Sequence, residues 1–300
     1  MSKVVIVTGA SSGFGAMTVR ELADAGHTVY AGMRDVDGRN AATAEEARDY
    51  TAANNGTLSV LDLDVSDQSQ VDAAVAAVLS EQGRIDVVVH NAGHMVLGPA
   101  EAFTVEQYAE LYDTDVLSTQ RLNRAVLPHM RERRDGLLVW VGSTSTRGGT
   151  PPFLGPYFAA KAAEDALAVT YAAELARWGI DTVIMVPGSF TKGTNHFANA
   201  GAPQDEKTAS AYDKYYAGMM DDVAAKLADL TDDDADPHDV AVEIARVTDL
   251  PKGQRPFRVH IDPADDGAST VNAVADEVRK LFYARIGLQD LLCPAVDTAG

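Results

Sequence analysis

Two residues in the segment Pro156-Tyr157-Phe158-Ala159-Ala160-Lys161 have the types and spacing to move a proton. Tyr157 and Lys161 are four positions apart, so in a helix they share one face. A free phenol has a pKa of about 10 and is a poor acid–base group at neutral pH. An ammonium beside it favours the phenolate and lowers that value. Such a pair can pass a proton to or from an alcohol oxygen, and the lysine can also hold a ribose. On spacing alone the pair reads as a core tyrosine and a surface lysine, because Tyr-x-x-x-Lys occurs by chance in many helices; its context decides.

The second chemistry-bearing feature is the run Thr8-Gly9-Ala10-Ser11-Ser12-Gly13-Phe14-Gly15. Glycines let the chain turn sharply and let a pyrophosphate approach the backbone. A helix that follows then aims its N-terminal N–H groups at the phosphates. Gly9, Ser11, Ser12, Gly13, Phe14 and Gly15 are therefore the expected phosphate-binding turn. Met33-Arg34-Asp35 closes a predicted strand where such folds meet the adenosine ribose; an Arg there accommodates a 2′-phosphate and an acid favours the 2′-hydroxyl. Arg34, with Arg39 close by, points to NADP(H). If Asp35 takes the ribose position instead, the cofactor is NAD(H). Asp64 and Val65 are expected beside the adenine, and Asn91, Ala92 and Gly93 along the nicotinamide side.

The elements that must position these residues alternate. Lys3–Thr8 is β-branched and almost wholly apolar, as suits a strand buried on both faces; it is read as a first strand and not a signal peptide. Further strands are predicted at His27–Met33, Leu58–Leu63, Ile85–His90, Leu137–Val141 and Thr182–Val186, with one more at Phe257–Ile261. Helices are predicted over about 14–25, 40–54, from a Ser66 cap to Leu79, over two stretches within 105–133, and over Tyr157–Trp178. Strand and helix alternating with short connections give a single doubly wound parallel sheet of Rossmann type, class α/β, with helices on both faces. From 189 to about 236 the pattern turns irregular and includes the acidic run Asp232-Asp233-Asp234. A mobile substrate lid is expected there, over the carboxyl ends of the strands. Residues 237–300 are read as a helical C-terminal extension of the same domain.

Composition excludes several classes. Of 300 residues, 46% are hydrophobic and 23% charged, enough for a large core in a soluble chain. The net charge of −19 would repel a nucleic acid. No apolar run approaches the ~18 residues needed to span a bilayer, so no membrane partner is expected. One cysteine, Cys293, removes intrachain disulfides and Cys-cluster metal sites. The seven histidines show no ligand spacing, so no metal is expected. A single thiol suits a reducing cytoplasm.

These motifs, taken in order, resemble the short-chain dehydrogenase/reductase family, over roughly residues 3–195. The likeness rests on TGASSGFG, LDLDV at 61–65, HNAG at 90–93, Ser143 after the fifth strand, YFAAK at 157–161 and PG at 187–188. VYAGMRD and the long C-terminal part look closer to its hydroxysteroid and retinol dehydrogenase branches than to fatty-acid ketoreductases. The resemblance implies a nicotinamide cofactor and oxidation or reduction at a carbinol carbon. It makes Tyr157 the general acid–base, Lys161 the residue that lowers its pKa and binds the ribose, and a serine the hydrogen-bond partner of the substrate oxygen. Counting from Gly136 selects Ser143. The interval to Tyr157 is then one residue longer than is usual in the family, and Thr144 or Ser145 are the alternatives.

Two positions depart from the family pattern. An asparagine commonly follows the fourth strand and holds a water that relays protons toward the lysine; here the match is Asp115. Asp115 can hold the same water, or pair with Lys161 and weaken the activation of Tyr157. The threonine that commonly follows the Pro187-Gly188 pair is replaced by Lys192, with Thr191 and Thr194 flanking it as candidate carboxamide or phosphate ligands. His94, Met95, Phe153, His196 and Phe197, with Ser143 and Tyr157, are expected to line the substrate pocket.

The reading is an NADP(H)-dependent carbonyl reductase or alcohol dehydrogenase acting on an apolar ketone, aldehyde or alcohol. The alternative is a dinucleotide-binding member without net redox turnover, an epimerase, dehydratase or regulator. A homodimer or homotetramer is expected through the helices around 105–133 and 157–178.

Overall fold

The strands that carry the site are buried from end to end. Val4–Thr8 (β1), Val87–His90 (β4), Gly136–Val141 (β5) and Ile180–Pro187 (β6) show no exposed residue, as a two-sided parallel sheet requires. The computed structural model describes residues 1–54, 57–190, 193–194, 199–231 and 234–296. With Thr28–Met33 (β2), Thr57–Asp62 (β3) and Arg258–Ile261 (β7) these strands form one seven-stranded sheet in the order β3-β2-β1-β4-β5-β6-β7. Every described pairing is parallel. The predicted strand at Phe257–Ile261 is β7, at the edge beside β6.

Alternate residues of each strand enter different cores. Val5, Val7, Val29, Val89, Val139 and Met185 pack with Gly13–Asp24 (α1), Ala41–Asn54 (α2) and His238–Asp249 (α9). Ile6, Tyr30, Val88, Leu138, Trp140 and Ile184 pack with Gln68–Gln82 (α3), Ser118–Arg133 (α5) and Gly155–Ala176 (α6). Helices thus cover both faces, which is the predicted doubly wound α/β arrangement. The order of the strands reverses between β1 and β4, and folds of this kind bind ligands at that crevice.

Three local readings need correction. Asp67 rather than Ser66 caps α3, its carboxylate accepting the N–H groups of Ser69 and Gln70. The 105–133 stretch holds Val105–Tyr112 (α4) and α5 joined without a break by a π-helical turn, Asp113–Leu117. The segment read as irregular contains two helices, Glu206–Tyr216 (α7) and Met219–Asp229 (α8). α7 buries no residue, so it lacks the apolar repeat that would have announced it. After β7 the chain ends in Ala268–Ile286 (α10) and a short 3-10 turn, Gln289–Leu292. No described helix is long and apolar enough to cross a membrane.

Candidate active site

A cleft of roughly 1030 Å³ opens at the carboxyl ends of the strands. The β1–α1 turn forms its floor. Gly9 sits at φ 65°, and a Cβ there would come within 2.7 Å of the Ala92 Cα. A Cβ on Gly15 would collide with the Gly9 carbonyl and the Asn91 amide, so Gly15 lies beneath the wall while Gly9, Ser11, Ser12, Gly13 and Phe14 form it. At Gly13 a Cβ would meet nothing within 4 Å, so open space lies over the start of α1. This is room that a pyrophosphate could occupy. The Thr8 hydroxyl ties the floor to β4: it donates to the Val89 carbonyl at 3.2 Å and accepts the N–H groups of Asn91 and Ala92 at 3.0 Å. The Asn91 side chain returns the tie, donating to the carbonyls of Thr8 and Gly9.

Arg34 and Arg39 both line the cleft beyond β2. Asp35 does not: at φ 54° its carboxylate is turned onto its own loop and accepts the Arg39 N–H at 2.8 Å. Asp64, Val65, Asn91, Ala92, Gly93, Pro187, Gly188 and Thr194 also line the cleft. The Thr194 hydroxyl is engaged with the Phe190 carbonyl at 3.0 Å. Thr191, Lys192, His196 and Phe197 lie outside the described residues, as do Asp232 and Asp233 of the acidic run.

At the other end α6 begins at Gly155, and Pro156 stands in its first turn, where a missing N–H costs nothing. The helix presents Tyr157 and Lys161 to the cleft, one turn apart. Ser143, Thr144 and Ser145 line the same cleft. Ser143 follows Gly142 just past the end of β5 and caps a 3-10 turn, Thr144–Thr146, accepting the Ser145 N–H at 3.1 Å. A hydrogen bond from Ser143 and the charge of Lys161 both lower the Tyr157 pKa, as expected. Burial is the larger effect, and together with the negative charges of Asp115 and Glu164 it leaves the phenol above its usual range. The expectation of a lowered value therefore holds for the contribution of Lys161 and not for the net direction.

Lys161 donates to the Val141 carbonyl at 3.0 Å and to Glu164 at 2.8 Å. Burial alone would lower its pKa; Glu164, Tyr157 and Asp115 outweigh that and raise it. The carboxylate that directly contacts the lysine is thus Glu164, not the Asp115 considered from the sequence. Asp115 sits in the π-helical turn with no solvent exposure. Its Oδ1 accepts the His94 N–H at 3.0 Å. Its Oδ2 is buried with no hydrogen-bond partner among the described residues. Burial pushes this carboxyl up, and the Lys161 charge offsets part of the effect.

On the substrate side His94 and Met95 line the cleft as expected. Phe153 does not; at φ 70° it packs edge-on against Tyr216, ring centres 5.9 Å apart. Val96, Leu154, Phe158 and Leu227 contribute apolar wall that the sequence reading did not name. Of the 189–236 segment, Ser189, Phe190, Thr194, Asn199, Gly201 and Leu227 border the cleft. Gly201 is strapped to its rim, donating to the Met95 carbonyl and accepting the Leu97 N–H, both at 2.9 Å.

Residues 3–205 match the short chain dehydrogenase family. The chain belongs to that family. The chain is 32% identical over 191 residues to a 3-ketodihydrosphingosine reductase of Bacteroides thetaiotaomicron, a match covering 64% of this chain and 65% of that one. It is 35% identical over 191 residues to estradiol 17-beta-dehydrogenase 1 of Rattus norvegicus, covering 63% and 54%. The match thus spans less than two thirds of either relative's length. Among solved structures, a short-chain dehydrogenase from Streptomyces avermitilis superposes with a TM-score of 0.73 at 28% identity, covering 96% of this chain and 98% of that one. The chain accordingly has the Rossmann-like sheet of this family.

Glu164 is the residue of this neighbourhood that sequence reasoning missed. A signal was present: an acid three positions after Lys161 on a strongly helical run shares its face. It went unread because an acid on a long helix is usually solvated.

Proposed function

We propose that this short-chain dehydrogenase interconverts an apolar ketone or aldehyde and the corresponding alcohol, using NADP(H), with Tyr157 as general acid–base. The observation that carries the reading is the opening of Tyr157, Lys161 and Ser143 into the same cleft as the glycine turn and Arg34. The residues fit a dinucleotide: an open space over Gly13, backbone at Asn91-Ala92-Gly93, and two guanidinium groups where a 2′-phosphate would lie. The commitment of Asp35 to its own loop favours NADP(H) over NAD(H).

When bound, the nicotinamide supplies or takes the hydride. The remaining work falls to side chains. In reduction, Tyr157 Oη gives its proton to the substrate oxygen, and in oxidation it removes the hydroxyl proton. The Ser143 hydroxyl donates to the same oxygen and stabilises the charge that develops there. The Lys161 ammonium favours the phenolate and can hold a ribose hydroxyl. Met95, Val96, Leu154, Phe158 and Leu227 exclude water and favour an apolar substrate. The two relatives named for a ketosphingoid base and a steroid fit the same substrate character. The described stretch 199–231, tied to the cleft rim at Gly201 and reaching the cleft with Leu227, serves as the lid in this reading.

The test is NADPH oxidation against a panel of apolar ketones and aldehydes, in parallel with NADH, with Tyr157→Phe as control. Turnover with NADPH that falls by roughly 10²–10⁴-fold in the control is the expected result, the range for loss of a positioned acid–base group. Full turnover in the control would remove Tyr157 from the role.

A further inference from the structure

The acid–base reading leaves Glu164 unused. It lies three residues beyond Lys161 on α6, is 2% exposed, and forms no part of the cleft wall. Its Oε2 accepts from Lys161 Nζ at 2.8 Å, while the same ammonium donates to the Val141 carbonyl at the end of β5. Two acceptors therefore hold the ammonium in place, one from the sheet and one from its own helix. A ligand in the cleft meets Lys161 and not Glu164.

We propose, on the reading that Tyr157 is the acid–base group, that Glu164 is a positioning residue for the Tyr157–Lys161 pair, anchoring the ammonium from behind the cleft wall and cancelling part of the charge that Tyr157 feels. An ionised Glu164 makes its pair with Lys161 neutral overall and weakens the support for a phenolate. A protonated Glu164 leaves the ammonium charge uncompensated and strengthens that support. Burial pushes the Glu164 carboxyl up, Lys161 partly offsets the rise, and the group lies at about 7. The change of state thus falls near neutral pH.

The surrounding charges leave this role to Glu164. On its own helix it faces Lys161, Tyr157 and Asp165. The Asp165 charge is compensated by Arg258 of β7 and by Arg147 of the β5–α6 connection. Asp115, from the π-helical turn packed against α6, adds negative charge, and the ring of His94 lies 3.8 Å from it. Among the described acids around the pair, Glu164 is the one in direct contact with the ammonium.

Ionisation of Tyr157 can be read without any substrate, as the phenolate absorbance difference between the protein and its Tyr157→Phe variant across pH. The same difference is then taken in a Glu164→Gln background. The expected midpoint for Tyr157 is lower by about one pH unit or more with Glu164→Gln, the scale of one nearby charge. Glu164→Asp, which keeps the charge, should stay near the parent. With a substrate from the panel, the pH dependence of kcat for alcohol oxidation should move to lower pH by the same amount. Coincident midpoints in parent and Glu164→Gln would overturn the proposal whatever the turnover. If Glu164→Gln does not fold, Glu164→Met carries the same comparison at similar side-chain length. A shifted midpoint in a protein that turns over no carbonyl would support the role of Glu164 and count against the oxidoreductase chemistry alone.

Discussion

The Asp35 carboxylate accepts the backbone N–H of Arg39 at 2.8 Å, and the Asp35 carbonyl accepts those of Gly38 and Asn40. The acid after β2 is thereby committed to closing a loop, and the same loop brings Arg39 to the cleft beside Arg34. Arg34→Ala should weaken NADPH binding by roughly 10–100-fold, the scale of one or two charge-assisted hydrogen bonds at about 1.5–3 kcal/mol. NADH binding should change little. Fluorescence titration with both cofactors checks this; equal weakening for the two would place Arg34 away from the 2′-phosphate.

The floor of the cleft makes a prediction about two glycines with the same backbone requirement and different surroundings. Gly9 and Gly13 both have positive φ, but only at Gly9 would a Cβ run into neighbouring backbone. Gly13→Ala should therefore cost about 1 kcal/mol from the left-handed conformation alone. Gly9→Ala must also push Ala92 aside and should cost several times that. Denaturant melts of the two variants give the comparison, and equal losses would contradict it.

His90 sits wholly inside the protein, paired with Asn123 at 2.9 Å and packed on Trp140. Burial lowers its pKa to about 4. A base with a depressed folded pKa stabilises the fold above its unfolded value of about 6.5, and that contribution is lost as pH falls toward 4. The loss amounts to about 3 kcal/mol over this window. The thermal midpoint should therefore drop between pH 6.5 and 4, and drop less in His90→Asn. Parallel curves for the two proteins would assign the acid sensitivity elsewhere.

Asp115 combines full burial, a raised carboxyl pKa and an oxygen with no partner among the described residues. An acid with a raised folded pKa stabilises the fold below its unfolded value and loses that contribution as pH rises through the folded one. Asp115→Asn keeps the acceptor for the His94 N–H and removes the buried charge. Its Tm should exceed the parent's by a few degrees at pH 8, about 1 kcal/mol, with the gap closing toward pH 4. A lower Tm at pH 8 would mean that the Asp115 charge is needed by Lys161.

Much of this was legible from residue types. The fully buried strands announced themselves as β-branched runs, and the glycine turn, Asn91-Ala92-Gly93 and Tyr157–Lys161 fell where strand order required. What escaped depended on contacts between distant segments. The polarity of α7 hid a helix that buries nothing. The π-helical turn that places Asp115 has no signature in local propensity. Phe153, expected in the substrate pocket, is kept out of the cleft wall by its positive φ and its contact with Tyr216. The Asp35 and Arg34 alternatives differ by one residue at a strand end, and only the loop closure onto Arg39 separates them.

The ties between Thr8, Gly9, Asn91 and Ala92 are made by groups of the chain itself, two backbone segments closing on one another. The nucleotide end of the cleft is therefore assembled while the chain folds, and little ordering entropy is left to be lost on association. Two consequences follow for anyone who heats or titrates the protein. Association at this end should have the thermodynamics of a rigid receptor, and breaking the Thr8 ties should show first as a less favourable binding entropy, before the fold itself is lost.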